Sequence, residues 1–184
     1  MRTLRVMLVL GIVLGTVAAG VAMAGNDSQR KGKTKVASAT LVNGKGDRIG
    51  RATLVQSRGR ITVTGTIKGV APGFHGFHVH AVGKCEGPAF ATAGGHFSAP
   101  NITHGAHAGD LPPLLVNANG TASAAFETDR FTIAQLRDAD GSALIVHADP
   151  DNFANIPTRY APAPDQETLN TGDSGARVAC GVVK

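Results

Sequence analysis

The sequence predicts an all-β fold, an antiparallel β-sandwich or flattened barrel that carries two long functional loops. Short apolar runs with period-two alternation recur along the 184 residues, and glycine- and asparagine-rich turns separate them. Only residues 131–136 have a pattern that suits a short helix. Segments 85–113 and 148–175 are long and irregular, and both contain or directly follow histidines. Loops of that length in a compact domain are usually functional or disordered, and the histidines favour a functional role.

Eight strands are expected in chain order. They are residues 37–41, 48–55, 60–67, 74–82, 114–116, 121–126, 143–147 and 176–183. In the third strand, Ile61 and Val63 alternate with threonines, so one face should be buried and the other exposed. The turn Ser57-Arg58-Gly59 joins the second and third strands. Asn119-Gly120 predicts a primed hairpin turn between the fifth and sixth strands.

The first 24 residues have the pattern of a signal peptide. Arg2 and Arg5 form a basic head, residues 6–21 are apolar, and Ala22-Met23-Ala24 resembles a signal-peptidase cleavage site. An uncleaved membrane anchor is the alternative, because the apolar run is close to spanning length. Cleavage predicts an exported protein that is extracellular, in the cell envelope or in the periplasm. Residues 25–36 then form a disordered basic arm, and residues 37–184 form one domain.

The charge of the chain is concentrated at its N-terminus. The formal net charge is +5, yet from residue 36 onward twelve Lys or Arg residues balance twelve Asp or Glu residues. The folded part is therefore close to neutral, and its composition does not favour a nucleic-acid partner. We interpret the arm as a solvated segment that associates weakly with an anionic cell envelope.

Two cysteines, Cys85 and Cys180, lie far apart in the sequence. An even number of cysteines in an exported chain favours a disulfide. Closing so long a loop would stabilise the fold by about 4–5 kcal/mol in the chain-entropy model. Metal ligation by a thiolate is the alternative, and the absence of a Cys-x-x-Cys pair makes it the weaker one.

Histidine dominates the candidate functional residues. His78 and His80 are two apart on a predicted strand, so both imidazoles face one side and can converge on one metal ion. His104, His107 and Asp110 follow at three-residue steps in the first long loop. Together with His96, earlier in the same loop, they make three histidines and one carboxylate, a set that suits a closed tetrahedral zinc site, and imidazole also suits copper. The alternatives are surface imidazoles on the strand and a solvated polar loop.

Four motifs together resemble the copper/zinc superoxide dismutases, and in particular the exported bacterial type. They are Gly-Phe-His-Gly-Phe-His-Val-His, Ala-Gly-Gly-His-Phe, His-Ala-Gly-Asp-Leu-Pro and Gly-Ala-Arg-Val-Ala-Cys-Gly-Val-Val, which occur in this order within residues 38–183. The resemblance implies a Greek-key strand arrangement and copper and zinc as cofactors. It also implies copper redox cycling that converts the superoxide anion, the substrate, to O2 and H2O2.

The resemblance also implies a role for each candidate residue. The copper ligands are His78, His80, His96 and His147, and the zinc ligands are His96, His104, His107 and Asp110. His96 is thus the bridging and catalytic histidine, and Arg177 is the catalytic arginine that attracts superoxide. Asp151 matches the carboxylate that links a copper ligand to a zinc ligand, Cys85 and Cys180 match the family disulfide, and His75 is a buried structural histidine.

Two departures from the family pattern keep alternatives open. Only two residues separate His104 from His107, where the family usually has a longer insertion, so a copper enzyme with a weak or empty zinc position is one alternative. A non-catalytic copper- or zinc-binding module on the same scaffold is a separate hypothesis, against which all four copper positions and Arg177 are kept. The chain lacks the long tail that animal enzymes use for dimer contacts, so we expect a monomer or a differently built homodimer.

Overall fold

The computed structural model describes residues 34–184. The expected signal peptide and nearly all of the basic arm lie outside the described residues. The first strand begins at Lys35, two residues before the expected start of the domain. Among residues 34–184, no helix is long and apolar enough to cross a membrane.

The fold is mostly β, as the sequence predicts. Its strands are β1 (Lys35–Asn43), β2 (Arg48–Ser57), β3 (Arg60–Lys68), β4 (Gly73–His75), β5 (Phe77–His80), β6 (Leu114–Val116), β7 (Thr121–Thr128), β8 (Ala143–His147) and β9 (Arg177–Val182). A 3-10 turn (Ala91–Ala93) and two short helices, α1 (Ile133–Leu136) and α2 (Gln166–Thr171), complete the described elements.

Seven strands form one curled antiparallel sheet. Their order is β5-β8-β9-β1-β2-β3-β7, and β4 pairs with β6 in a separate two-stranded sheet. The main core fills the concave side of the curl, and Ile61 and Val63 of β3 are fully buried there, as the alternation predicts. β5 and β8 are buried on both faces, because Val79 and Leu144 enter the core while the long loops cover their outer sides.

The covered outer side has its own small core. Phe90, Ala93, Ala143, Ile145 and Cys180 pack together there. The disulfide between Cys85 and Cys180 joins the first long loop to β9, which confirms the predicted pairing. This loop is therefore attached both covalently and by packing to the strands that carry the histidines.

The expected single strand 74–82 is wrong, because Gly76 interrupts it and separates β4 from β5. β4 pairs with β6, whereas β5 pairs with β8, so the two halves join different sheets. Any side chain at Gly76 would meet the Ser174 hydroxyl oxygen at 2.5 Å. A distant loop thus packs closely against the point where the strand divides, and a glycine leaves room for it.

The primed turn expected at Asn119-Gly120 is also wrong. Only Gly120 has a positive φ, of 77°, whereas a primed type I turn needs a positive φ at both residues. The Asn119 side chain instead accepts hydrogen bonds from the backbone nitrogen and the hydroxyl of Thr121. The strands on either side of the turn pair with β4 and β3 and not with each other.

Candidate metal centre

Four imidazoles form a first cage on the outer face of the sheet. β5 supplies His78 and His80, β8 ends at His147, and His96 joins them from the loop through a backbone bridge to His80. One nitrogen of each ring lies within 4.8 Å of the corresponding nitrogens of the other three. The strand pairing thus brings together histidines that are up to 69 positions apart in the sequence.

Hydrogen bonds on the outer side of three of these rings determine which nitrogen faces the cage. The bonds run from His78 Nε2 to Asp151 Oδ2 (2.7 Å), from His80 Nδ1 to the Gly94 carbonyl (2.9 Å) and from His147 Nδ1 to the Gly175 carbonyl (3.0 Å). Because these oxygens only accept, each bonded nitrogen carries the proton. The other nitrogen of each ring therefore offers a lone pair to the cage.

The inner nitrogen of His78 shows that the cage suits a metal ion. This Nδ1 is buried and has no hydrogen-bond partner among the described residues. Leaving a buried polar atom unsatisfied costs about 1–3 kcal/mol. A metal ion at the centre of four nitrogens would satisfy it, and four imidazoles suit copper.

A second cage adjoins the first and uses three histidines and one carboxylate. His96 Nδ1 lies 3.3 Å from the Nδ1 atoms of His104 and His107 and 3.2 Å from Asp110 Oδ1. Asp110 Oδ1 lies 3.2 Å and 3.3 Å from the same two Nδ1 atoms. Tetrahedral zinc with bonds of about 2.0–2.1 Å would hold its ligands about 3.3–3.4 Å apart. The second cage therefore has the spacing of a zinc site.

His78 stands between the two cages. One of its nitrogens also lies within 4.8 Å of ligand atoms of His96, His104 and Asp110. Its Nε2 is bonded to Asp151, however, and the atoms at tetrahedral spacing are those of the second cage. We therefore assign His78 to the first cage and His107 to the second.

Asp151 connects the cages through its two oxygens. Oδ2 accepts from His78 Nε2 and Oδ1 accepts from His104 Nε2, each at 2.7 Å. Phe153 also donates its backbone N–H to Oδ1 at 2.7 Å. A side chain at Gly172 would collide with both Asp151 and the His104 ring, so only a glycine fits there.

The surroundings set the protonation of the first cage. Burial, followed by repulsion from neighbouring imidazoles, lowers the pKa of His80 to about 2. Burial likewise lowers the pKa of His147 to about 3 and that of His96 to about 4. These rings are neutral at ordinary pH, which is the form that binds metal.

The surroundings of the second cage favour charged groups, whereas those of the first cage favour neutral rings. Burial acts to lower the pKa of His104, but hydrogen bonds with Asp110 and Asp151 outweigh it and raise the pKa to about 9. Burial acts to raise the pKa of both carboxyls, yet their hydrogen bonds with histidines hold each pKa below its usual range. Both aspartates are therefore anionic and available to balance a cation.

Arg177 lies beside the first cage. Its side chain donates to the carbonyls of Phe90 at 2.7 Å and Gly94 at 2.6 Å. It lines a pocket of about 430 Å³ together with His80, His96 and His147. Small anions that enter this pocket therefore meet the guanidinium and the cage together.

His75 is the remaining residue with a predicted role. The ring nitrogens of His75 lie within hydrogen-bond distance of the His147 and Ala71 carbonyls, in the buried position expected for it.

Sequence reasoning missed α2, whose residues Glu167, Asn170 and Thr171 also line the pocket. The sequence does contain the start and stop pattern of this helix, because Asp165 caps its N-terminus and Gly172, in the left-handed conformation, follows its C-terminus.

Comparisons with known proteins agree with this geometry. The family model described as "Copper/zinc superoxide dismutase (SODC)" matches residues 48–183. The chain is 42% identical over 180 residues to a "Superoxide dismutase [Cu-Zn]" of Mycobacterium tuberculosis, covering 88% of this chain and 75% of that protein. It is 36% identical over 157 residues to an "Extracellular superoxide dismutase [Cu-Zn]" of Brugia pahangi, covering 82% and 76%. Among solved structures, a "SOD-like protein from Bacillus subtilis" is similar, with 30% identity, a TM-score of 0.64 and coverage of 79% and 96%.

Proposed function

This chain belongs to the copper/zinc superoxide dismutase family, and on that basis we propose that the first cage binds copper and the second binds zinc. The observation that carries this proposal is the paired geometry of the cages. The first contains a buried His78 nitrogen that has no hydrogen-bond partner within residues 34–184, and the second has tetrahedral spacing. The reaction is the conversion of two superoxide anions and two protons to O2 and H2O2.

Copper supplies the one-electron redox chemistry when it is bound. Arg177 binds and orients the anion at the pocket wall, because its two carbonyl contacts hold the guanidinium in one place. Arginine keeps its charge at any ordinary pH, although burial lowers its pKa. A fixed positive charge in a concave site raises the encounter rate with small anions.

His96 is the residue that we assign to proton transfer. Its Nδ1 lies among the atoms of the second cage, so Nε2 is the nitrogen left for the first cage. Nε2 can therefore take up a proton and deliver it to the reduced product. Asp110, which also contacts His96 Nδ1, holds the ring in position during that transfer.

We also propose that the protein is exported. The N-terminal signal pattern, the Cys85–Cys180 disulfide and the similarity to a relative named as extracellular support this location. Weak association of the basic arm with an anionic envelope, and a monomeric or homodimeric state, remain predictions.

The test of the function is superoxide removal by residues 25–184. Metal-free protein is compared with protein that has received copper alone and protein that has received copper and zinc. We expect activity to require copper, and a further gain with zinc would show that the short His104–His107 segment makes a working second site. Stoichiometric copper binding without activity would contradict the proposal and favour a non-catalytic metal-binding module.

Replacing Arg177 with alanine should slow the reaction by about 10-fold, because the pocket loses the charge that attracts the anion. The decrease of the rate with added salt should also become shallower, while copper binding stays unchanged. Stopped-flow measurement of superoxide decay at several ionic strengths tests this result.

The matched control is Arg137→Ala. It removes an arginine that likewise donates to a backbone carbonyl, that of Val36 at 3.0 Å, but does not line the pocket. Equal rates and equal salt slopes for the two alanine variants would refute the role of Arg177.

A further inference from the structure

Arg130 contacts the second cage from outside and is not among the predicted site residues. It follows β7, and its guanidinium donates to three carbonyls of the loop that carries His104, His107 and Asp110. The distances are 3.0 Å from Nη1 to the His107 carbonyl, 3.5 Å from Nη1 to the Asp110 carbonyl and 3.5 Å from Nη2 to the Gly105 carbonyl. The planar fork of arginine suits several acceptors at once.

The same loop is held from inside by Asp110. Its Oδ1 belongs to the second cage, while its Oδ2 accepts the backbone N–H groups of Gly105 at 2.7 Å and His107 at 3.0 Å. The loop thus directs N–H groups inward to an anion and carbonyls outward to a cation. The peptide groups between the ligands are therefore fixed from both sides.

Short backbone hydrogen bonds hold the two ends of the loop, 2.8 Å from His104 N to the Leu169 carbonyl and 2.7 Å from Gly109 N to the Phe97 carbonyl, but the residues between these ends have weaker ones. These inner backbone hydrogen bonds are long, 3.2 Å from Ala106 N to the Thr103 carbonyl and 3.2 Å from Asp110 N to the His107 carbonyl. Gly105 adopts a left-handed φ of 87°. Because His104 is fixed by its ring contact with Asp151 and only two residues separate it from His107, a rotation of the intervening peptides would shift the His107 imidazole away from its spacing in the second cage.

The base of Arg130 is rigid enough to act as an anchor. Its backbone N–H donates to the Thr128 hydroxyl at 3.2 Å, and the next residue, Phe131, is 1% exposed in the main core. Thr132 then begins α1 with a capping box formed with Gln135. The guanidinium consequently extends from a fixed point.

We propose that Arg130 is a positioning residue for the second cage, which holds the His104–Asp110 loop in its metal-binding geometry. This inference rests on the assignment of that cage to zinc. Loss of the Arg130 hydrogen bonds should weaken zinc binding at the second cage by about 10-fold. This is the lower end of the effect of removing contacts that orient metal ligands. Binding of copper at the first cage should not change, because its ligands make no contact with Arg130.

The experiment compares Arg130→Ala and Arg130→Lys with Arg137→Ala, an arginine-to-alanine control that also removes a bond to a carbonyl. Zinc and copper affinities are measured by chelator competition, and cobalt(II) absorption reports the symmetry of the second cage. We expect the alanine variant to lose about 10-fold in zinc affinity only, and lysine, which cannot span three carbonyls, to restore part of it.

Amide hydrogen exchange of the metal-free proteins gives a readout that does not depend on zinc. Residues 105–110 should exchange faster in Arg130→Ala than in the wild type or the Arg137→Ala control. Unchanged exchange together with unchanged zinc affinity would overturn the proposal, even for an active enzyme. Failure of the wild type to bind zinc would contradict the assignment of the cage, while the exchange result would still decide the role of Arg130.

Discussion

Replacing His147 with alanine is expected to abolish copper-dependent superoxide removal while the fold and the Cys85–Cys180 disulfide persist. The substitution deletes one of the four nitrogens of the first cage, and His147 Nε2 lies only 3.3 Å from His80 Nε2 in that cage. Loss of a hydrogen-bond partner of a metal ligand already costs about 10–100-fold, so loss of a ligand should cost more. Superoxide decay, copper EPR and a thiol count together measure the outcome.

The control for His147→Ala is Asn170→Ala. Asn170 is exposed on α2 and lines the same pocket, and its side-chain oxygen accepts from Gln166 at 2.9 Å without contacting a cage. This control changes the pocket mouth but leaves all four nitrogens in place. Copper-dependent turnover that survives in His147→Ala would refute the assignment of the first cage.

Asp151→Asn is expected to weaken metal binding by about 10–100-fold, and copper more than zinc. The carboxylate accepts from His78 on one oxygen and from His104 and the Phe153 N–H on the other. An asparagine has one oxygen and one NH2 group, and the NH2 group cannot accept a hydrogen bond. One of the two histidines must therefore lose its acceptor.

The backbone decides which histidine that is. Because the Phe153 N–H must face an oxygen, the amide oxygen should take the Oδ1 position and stay with His104. The NH2 group then faces His78 Nε2 and forces the proton of that ring onto Nδ1, the inner nitrogen. A protonated Nδ1 cannot bind metal, so the first cage should be damaged first.

Separate copper and zinc affinities, with a copper EPR spectrum, test this order. Asp165→Asn is the matched control, because it makes the same chemical change in the same loop, and asparagine remains a good N-cap for α2. If Asp151→Asn kept both affinities, or lost zinc alone, the hydrogen bonds of Asp151 would not have the orienting role described here.

The sequence was informative wherever short-range pattern and chemistry decide the structure. Alternation identified the strands, including the buried Ile61 and Val63 face, because a strand places every second residue on one side. The two-residue spacing of His78 and His80 indicated convergence for the same reason. The short His104–His107 segment raised doubt about zinc, yet the structure gives this segment tetrahedral spacing, with Asp110 Oδ2 gathering its N–H groups.

Other features depend on segments that meet only in the folded chain. The expected strand 74–82 divides at Gly76, where Ser174 packs closely although nearly 100 positions separate the two residues. No local pattern places Arg130 against the carbonyls of the second-cage loop, because arginine after a strand is common on any surface. The resemblance to a known family identified Asp151, whereas its hydrogen bond from the Phe153 N–H forms only in the folded chain.

The sequence by itself thus determined the all-β class, the ligand types and the cysteine pairing, because alternation, imidazole chemistry and recognisable motifs are properties of short segments. Tertiary structure alone decided which oxygen of Asp151 each histidine meets, which nitrogen of each ring faces inward, and which residue holds the second-cage loop from outside. Those features are hydrogen bonds between residues far apart in the sequence. Their geometry is set by the packing of the two loops on β5 and β8, which no single segment encodes.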